Sequence, residues 1–247
     1  MHRFFIKPEL IKKQHVSFPQ ALSHQIVHVL RLGEGDQVAV LDNRGNIHQV
    51  RLGLNKPGSN LVGEIITTEP VTSEPNCHIS LFFGLSSREK VEWILQKGTE
   101  IGVSAFFPFV SSRTLVQSSL VASKKFNRWE RIICEAAEQS GRGRLPELHQ
   151  PIDLNQSLAH ASSKVPLCLF AWEAAFGEGE TISDVLDGFE GGALALFVGP
   201  EGGFSAEEVK QAQEVGCRVV SLGQRILRLE TAAMIFPALV LFELGDL

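Results

Sequence analysis

Two loops near the C-terminal end of the chain carry the residues best suited to chemistry. The first, Gly199–Phe204, is rich in glycine, and the second, Leu222–Thr231, contains Arg228 and Glu230. Glycines let a backbone approach a ligand closely, apolar side chains can enclose a flat ring, and an arginine can face developing negative charge. These residues indicate a ligand-binding crevice, although a simple turn and a structural Arg228–Glu230 ion pair are open alternatives.

The first loop differs from the usual phosphate-binding loops. It has neither the Lys-Ser/Thr of a P-loop nor the G-x-G-x-x-G of a dinucleotide site. Ser205 and Glu208 form a capping-box pattern, which would satisfy the N-terminus of the next helix with protein groups. A neutral or zwitterionic ligand held by backbone groups is therefore favoured over a triphosphate, and a nucleotide-dependent enzyme is a disfavoured alternative.

Apolar runs before the two loops predict the strands that position them. In an open α/β sheet, the carboxyl ends of the strands face the crevice in which ligands bind. From His78 onward, predicted strands alternate with longer helices, which predicts a mainly parallel sheet covered by helices on both faces. The predicted elements include strands at His78–Gly84, Ala105–Val110 and Val165–Ala171, helices opened by a capping box at Ser86–Glu89 and by a cap at Ser123, and a C-terminal helix at Phe236–Leu244.

Residues 1–70 show a different pattern. Short alternating or apolar runs predict strands, Asp42–Gly45 is a hairpin turn signal, and Pro19–Leu32 has the periodicity of one helix. A small β-barrel with one helix fits this pattern. The stretch 71–76 has no apolar periodicity and is typical of a linker, so we expect one domain at 1–70 and a second at 77–247.

The composition predicts an ordinary soluble globular protein. Of the 247 residues, 44% are hydrophobic, yet no run approaches the roughly 20 apolar residues that a membrane span requires, and the N-terminus lacks the apolar core of a signal peptide. The four cysteines are far apart and form no C-x-x-C pair. They predict free thiols in a reducing cytosol rather than a zinc site.

The charge of the chain is unevenly distributed. The formal net charge is −5, but residues 1–70 carry +2, residues 88–150 carry +3 and residues 151–247 carry −9. A chain that is acidic overall can therefore present a basic face to a polyanion, or simply have solvated helix faces of both signs. In Gly141–Pro146, Arg142 and Arg144 are flanked by glycines after a predicted helix. They could reach a phosphate or stack on a base, or only complement the helix dipole.

Four sequence motifs follow one another along the chain: QKGTEIGV (Gln96–Val103), AEQSGRGRLPE (Ala137–Glu147), FVGPEGGFSAEEV (Phe197–Val209) and LGQRILRLETA (Leu222–Ala232). In this order and spacing they resemble the 16S ribosomal RNA small-subunit uridine-N3 methyltransferases of the SPOUT, or trefoil-knot, superfamily. The resemblance covers essentially the whole chain. Gln224 stands where proline is common in that family, a departure that affects the stiffness of the loop but removes no chemical group.

The resemblance implies an α/β fold with a C-terminal trefoil-knot (SPOUT) domain that binds S-adenosylmethionine and a small N-terminal PUA-like β-barrel that binds RNA. It also implies a homodimer whose interface borders the site, acting in the cytoplasm on 16S ribosomal RNA or the small ribosomal subunit. True knots are rare, so without the resemblance the residue patterns argue against one. Carried over position by position, the cofactor-binding residues are Leu196, Gly199, Glu201, Gly202, Leu222, Gly223, Ile226, Leu227 and Thr231.

The implied reaction is transfer of a methyl group to N3 of one uridine. Because N3–H is a weak acid, the ring must lose a proton and spread negative charge onto O2 and O4, so positioning and electrostatic stabilisation are the main contributions expected of the protein. Arg228 is the first candidate to stabilise this charge, Glu201 or Glu230 is a weaker candidate proton acceptor, and no metal is expected. The candidate RNA-binding residues are Arg3, Arg31, Arg142 and Arg144.

Two other functions remain open on the sequence. A ribose 2′-O-methyltransferase of the same fold would use the same cofactor and a different acceptor atom. A non-catalytic RNA-binding or ribosome-assembly factor would bind RNA with a steep salt dependence but would not bind S-adenosylmethionine.

Overall fold

The computed structural model describes residues 1–54, 60–115, 122–177 and 180–247. Contacts divide the described chain into two compact units: Met1–Glu74 with Ala137–Leu145, and Pro75–Ala136 with Pro146–Leu247. The sequence assigned residues 137–145 to the C-terminal part, whereas they pack within the first unit. None of the described helices combines the length and apolar character needed to span a membrane.

The first unit is built on a five-stranded sheet. Its strands are β1 (Arg3–Phe5), β2 (His15–Ser17), β3 (Gln37–Leu41), β4 (Asn46–Leu52) and β5 (Val62–Pro70). They lie in the order β1-β3-β4-β5-β2, with a parallel β1–β3 pair and antiparallel pairs elsewhere. The predicted hairpin joins β3 to β4, and Asn43 and Gly45 there have the positive φ angles of such a turn.

The predicted helix of this unit is shorter than its sequence pattern. Helix α1 covers Gln20–His24 and continues as one π-helical segment over Gln25–Val29. Ile26 is fully buried, together with Phe18 and Val38 from the sheet. The helical pattern therefore located this helix, while its predicted end at Leu32 was wrong, because the helical residues stop at Val29.

The second unit contains a seven-stranded sheet in which every pairing is parallel, as predicted. The strand order is β12-β10-β11-β6-β7-β8, and β9 also pairs with β7. The strands are β6 (His78–Gly84), β7 (Ala105–Val110), β8 (Glu147–Leu148), β9 (Ile152–Asp153), β10 (Leu167–Ala171), β11 (Ala193–Val198) and β12 (Arg218–Val220).

Helices cover both faces of this sheet. They are α2 (Arg88–Ile101), α3 (Ser123–Ser140), α4 (Leu154–Lys164), α5 (Ile182–Leu186), α6 (Ala206–Glu214) and α7 (Leu229–Glu243). Successive side chains of a strand point to opposite faces, so Leu81 and Phe83 join one buried cluster with α2 and α7, while Phe82 joins another with α4 and α6. The sheet is therefore buried on both sides, as parallel sheets usually are.

Some of the predicted helix starts are confirmed and others are wrong. The Ser205–Glu208 capping box is present, because the Ser205 hydroxyl accepts from the Glu208 N–H and the Glu208 carboxylate accepts from the Ser205 N–H. The box predicted at Ser86–Glu89 is absent, since α2 begins at Arg88 and the Ser86 hydroxyl donates to Glu201 instead. Helix α3 includes Ser123 as its first residue, and α7 begins at Leu229, well before the predicted start.

Candidate active site

The two loops singled out in the sequence meet in one cavity of the second unit. Its volume is about 510 Å³, within the size range of small-molecule sites. Strand β10 lies between β11 and β12 in the sheet, so the two loops follow strands that are not neighbours. The end of β10 and the two residues after it, Ala171–Glu173, line the same cavity, although no sequence motif marked them.

Most of the predicted cofactor-binding residues line this cavity. They are Gly199, Glu201, Gly202, Leu222, Gly223, Ile226 and Leu227, and Arg228 lies beside them. Two others do not line it. The side chain of Leu196 is fully buried in the hydrophobic core, and Thr231 lies in the first turn of α7. The loop residues of the predicted set therefore line the cavity, whereas Leu196 on β11 and Thr231 on α7 do not.

The glycine-rich loop is held in place from outside the cavity. A Cβ atom added to Gly84, at the end of β6, would lie 2.4 Å from the Pro200 nitrogen, so the two backbones approach as closely as glycine allows. Arg113 donates from Nη1 to the carbonyls of Gly202 and Phe204, at 3.1 and 3.2 Å. No motif marked Arg113 in the sequence, yet its guanidinium fixes the course of the loop.

A charged cluster joins the two loops. Lys90 Nζ lies 2.9 Å from Glu201 Oε1 and 3.7 Å from Glu230 Oε2, and the Ser86 hydroxyl also donates to Glu201. No sequence motif singled out Lys90. A signal was available, because Ser86 and Lys90 follow the carboxyl end of β6, a third strand that ends at this edge of the sheet.

The ionisation of the cluster follows from these contacts. Burial opposes ionisation of Glu201, but hydrogen bonds from Ser86 and Lys90 outweigh it and lower the pKa of this carboxyl below its ordinary value. The same hydrogen bond to Glu201 is the main cause that raises the pKa of Lys90. At neutral pH the Glu201 carboxylate and the Lys90 ammonium are therefore both charged.

Arg228 lines the same cavity without a partner of its own. It is the residue that precedes the first turn of α7, and its guanidinium makes no hydrogen bond or ion pair with any described residue. Glu230, its suspected ion-pair partner, lies near Lys90 instead. The contacts of the described residues therefore do not include the structural Arg228–Glu230 ion pair that was the alternative. An exposed, unpaired guanidinium in a cavity can face negative charge on a ligand.

Among the candidate RNA-binding arginines, Arg142 is buried and forms an ion pair within the protein. Its side chain is only 4% exposed, and Nη2 lies 2.9 Å from a carboxylate oxygen of Glu74. The backbone N–H groups of Gly143 and Arg144 donate to the same carboxylate, at 2.7 and 3.1 Å. These contacts favour a role for Arg142 in folding the 141–145 segment over the predicted contact with RNA.

The other three candidates are exposed residues of the first unit. Arg3 points its Nη1 atom at the carbonyls of Glu138 and Gln139, at 3.4 Å each, and Arg144 donates to the carbonyl of Arg44 at 3.2 Å. The structure thus brings Arg3 and Arg144 to the same segment as Arg142. Arg31 lies elsewhere in this unit, after the π-helical segment, and has a positive φ of 58°.

Comparisons with known proteins agree on one family. The sequence model of the RNA methyltransferase domain matches residues 73–241. Ribosomal RNA small subunit methyltransferase E of Bacillus subtilis (strain 168) is 34% identical over 95% of this chain and 93% of the relative, and the protein of that name from Synechocystis sp. is 31% identical over 100% of this chain and 78% of the relative.

Solved structures give the same picture. Ribosomal RNA small subunit methyltransferase E from Neisseria gonorrhoeae, bound to S-adenosyl methionine, matches with a TM-score of 0.85 and 30% identity over 98% of this chain and 97% of its own. A structure from Legionella pneumophila with bound SAM matches with a TM-score of 0.83 and 28% identity, covering 97% of this chain and 96% of its own.

Proposed function

The chain belongs to the RNA methyltransferase family, in the group of ribosomal RNA small subunit methyltransferase E, and we propose that it transfers a methyl group from S-adenosylmethionine to N3 of one uridine in 16S ribosomal RNA. One observation carries this proposal. The loops Gly199–Phe204 and Leu222–Arg228 enclose a cavity in which an unpaired guanidinium lies next to a charged cluster. The choice of N3 rests on the four sequence motifs.

The residues present fit S-adenosylmethionine. Backbone groups of Gly199 and Gly223 lie beside the apolar side chains of Leu222, Ile226 and Leu227, which suits an adenine ring held by apolar contacts and read at its edge by the backbone. Gly223 has a φ of +110°, a conformation that other residues rarely adopt. When bound, the cofactor supplies a methyl group on a sulfonium that is already activated.

The protein itself contributes charge stabilisation and a proton acceptor for the uridine. Arg228 would face the negative charge that spreads onto O2 and O4 as N3 loses its proton. Glu201 is poorly suited as the proton acceptor, because its lowered pKa and its bonds to Ser86 and Lys90 make it a weak base. Glu230 has a buried oxygen without a hydrogen bond and is the stronger of the two candidates.

We further propose that residues 1–70 form the family's PUA-like RNA-binding barrel, followed by a linker at 71–76 and the SPOUT domain at 77–247. The mostly antiparallel five-stranded sheet, with its own hydrophobic core, supports this division. Arg3 and Arg31 of this barrel, and Arg144 of the 137–145 segment that packs in the same compact unit, are the candidate RNA contacts. Within the SPOUT domain, the separation of the successive strands β11 and β12 by β10 is compatible with a trefoil knot.

A homodimer is part of the proposal. Helix α7 exposes Ile235, Leu239 and Phe242 to 37%, 39% and 67%, and their spacing places them on one face of the helix. An exposed apolar stripe of this kind suits an interface with a second copy. Cytoplasmic action is proposed as well, since the four cysteines are free thiols.

Locating the transferred methyl group tests the reaction. The protein is incubated with S-adenosylmethionine carrying a labelled methyl group and with 16S ribosomal RNA or small subunits from a strain that lacks the protein. Nuclease digestion and mass spectrometry should then find N3-methyluridine. A methyl group on ribose would support the 2′-O alternative. Salt-dependent RNA binding without cofactor binding or methyl transfer would indicate a non-catalytic factor.

A further inference from the structure

Lys90 is the shared partner of the two carboxylates at the cavity. Its ammonium lies 2.9 Å from Glu201 and 3.7 Å from Glu230, while Arg228 has no side-chain partner among the described residues. Arg228 lines the same cavity as Lys90, and its positive charge opposes the rise in the pKa of Lys90 that Glu201 causes. The cavity therefore holds two neighbouring cations, of which one binds both carboxylates and the other binds neither.

From the strength of the possible ion pairs, one would expect the carboxylates to pair with Arg228 rather than with Lys90. A guanidinium matches a carboxylate with two parallel hydrogen bonds, whereas an ammonium acts as a point charge. Glu230 is two residues from Arg228, and its Oε2 atom is buried without a hydrogen bond. Without Lys90, the Glu201 and Glu230 carboxylates would lose the cation that holds them and would be open to the Arg228 guanidinium, which lines the same cavity as Lys90 and Glu201.

The position of Lys90 is set by packing. Lys90 belongs to the first turn of α2, and the next residue, Val91, is fully buried together with Ile94 and Leu95. The Lys90 side chain is 29% exposed. The helix thus fixes the base of this side chain in the core while its ammonium reaches the cavity.

We propose that Lys90 is a positioning residue for methyl transfer, which pairs with Glu201 and Glu230 and so keeps the Arg228 guanidinium free to face the substrate. This inference rests on the proposed function, in which Arg228 stabilises the charge on the uridine. Lys90 itself acts through Arg228 and need not contact the uridine. Its loss should therefore slow the reaction only as long as Arg228 is present.

A double-mutant cycle tests this dependence. Lys90→Met removes the charge at similar length, and it should lower kcat about tenfold while changing the Kd for S-adenosylmethionine less than about threefold. In an Arg228→Ala background the same substitution should change kcat less than about twofold, because residues that act through one another are not additive. Lys90→Arg, which can still bind both carboxylates, should restore most of the rate.

The control is Lys210→Met. Lys210 forms an exposed ion pair with Glu214 on α6, at 3.8 Å, and its removal should leave kcat and cofactor binding unchanged. Melting temperatures of all variants show whether each one is folded. An equal loss of rate from Lys90→Met in both backgrounds, or a kcat within about twofold of wild type, overturns the inference.

A crystal structure of the Lys90→Met variant gives a second readout that does not depend on activity. The Arg228 guanidinium should lie within about 4 Å of the Glu230 or Glu201 carboxylate, the usual limit of an ion pair. An unpaired Arg228 in that variant overturns the inference as well. If the wild-type protein methylates no RNA, the proposed function fails, and this structure still decides whether Lys90 controls the pairing of Arg228.

Discussion

Two loops of this protein, Gly141–Leu145 and Leu222–Arg228, have similar sequences and use their arginines in opposite ways. Each combines glycine, arginine and leucine after a regular element. In the first loop the Arg142 guanidinium is buried and paired with Glu74. In the second, Arg228 is exposed at a cavity and has no side-chain partner among the described residues. One arginine holds its own loop together, and the other is available to a ligand.

The difference comes from distant residues rather than from the loops themselves. Glu74 is separated from Arg142 by 68 positions and reaches it from the chain that follows β5. At the other loop, Lys90 binds the carboxylates that could pair with Arg228. The role of an arginine in a glycine-rich loop therefore depends on whether the fold delivers a carboxylate to it or directs that carboxylate to another cation.

The first and largest expected effect is on the stability of the 141–145 loop. Glu74→Ala removes the acceptor for Arg142 and for two backbone N–H groups. Because a buried guanidinium loses its paired carboxylate, the free energy of unfolding should fall by about 3 kcal/mol. Urea denaturation measures this change. Glu64→Ala is the control, since its ion pair with Arg51 is more than half exposed and should contribute at most about 1 kcal/mol.

The second expected effect is on turnover at the other loop. Arg228→Ala should lower kcat about a hundredfold, near 2.7 kcal/mol, as removal of a preorganised charge-stabilising donor does. The Kd for S-adenosylmethionine and the urea midpoint should change far less, because the guanidinium has no partner in the described structure to lose. A large loss of stability with unchanged turnover per folded molecule would show that Arg228 is structural, and the contrast with Arg142 would disappear.

The third prediction concerns the pH dependence of the Glu74 contribution. Burial opposes ionisation of Glu74, but hydrogen bonds from Arg142 and from two backbone N–H groups outweigh it and lower the pKa of Glu74. A carboxyl with a lowered pKa in the folded state stabilises the fold above its unfolded pKa of about 4.3, and this stabilisation is lost as the pH falls through the lower folded-state value.

The wild type should therefore be more stable than Glu74→Gln at about pH 6, and this difference should shrink when urea denaturation is repeated at progressively lower pH below about 4. Subtraction of the variant removes the contribution of all other carboxylates. A difference that is constant over this range would mean that the charge of Glu74 does not stabilise the loop.

The sequence predicted the elements that depend on local patterns. The bounds of β6 and β7 were correct because a run of buried apolar residues marks a strand in a parallel sheet. The turn at Asn43 and Gly45 was correct because few residues tolerate positive φ. The start of helix α7 was predicted too late, at Phe236 instead of Leu229. Proline usually marks a helix end or a kink, yet Pro237 lies inside this helix.

The candidate site was predictable only in part, because local sequence patterns show the chemistry of a loop but not which distant residues contact it. Glycines and an arginine in two loops indicated the cavity, because their chemistry is visible in the sequence. Arg113, which holds the glycine-rich loop from 89 positions away, and Lys90, which reaches Glu201 across 111 positions, were missed. Their roles depend on the strand order of the sheet, which the pattern of apolar residues does not specify.

The smallest expected effect separates the two arginines within one loop. Arg144 is exposed and its guanidinium donates to a single backbone carbonyl, that of Arg44, at 3.2 Å, so it can still contact a phosphate. Arg144→Ala should reduce the slope of log K against log salt for 16S ribosomal RNA by about 1, the change expected for one lost phosphate contact. Stability should be nearly unchanged, unlike that of Glu74→Ala.

The charge-matched control is Arg51→Ala, because Arg51 is an exposed arginine on β4 of the same unit. If both variants change the slope equally, the 141–145 loop contributes only general positive charge, and its sole specific function is the ion pair that folds it.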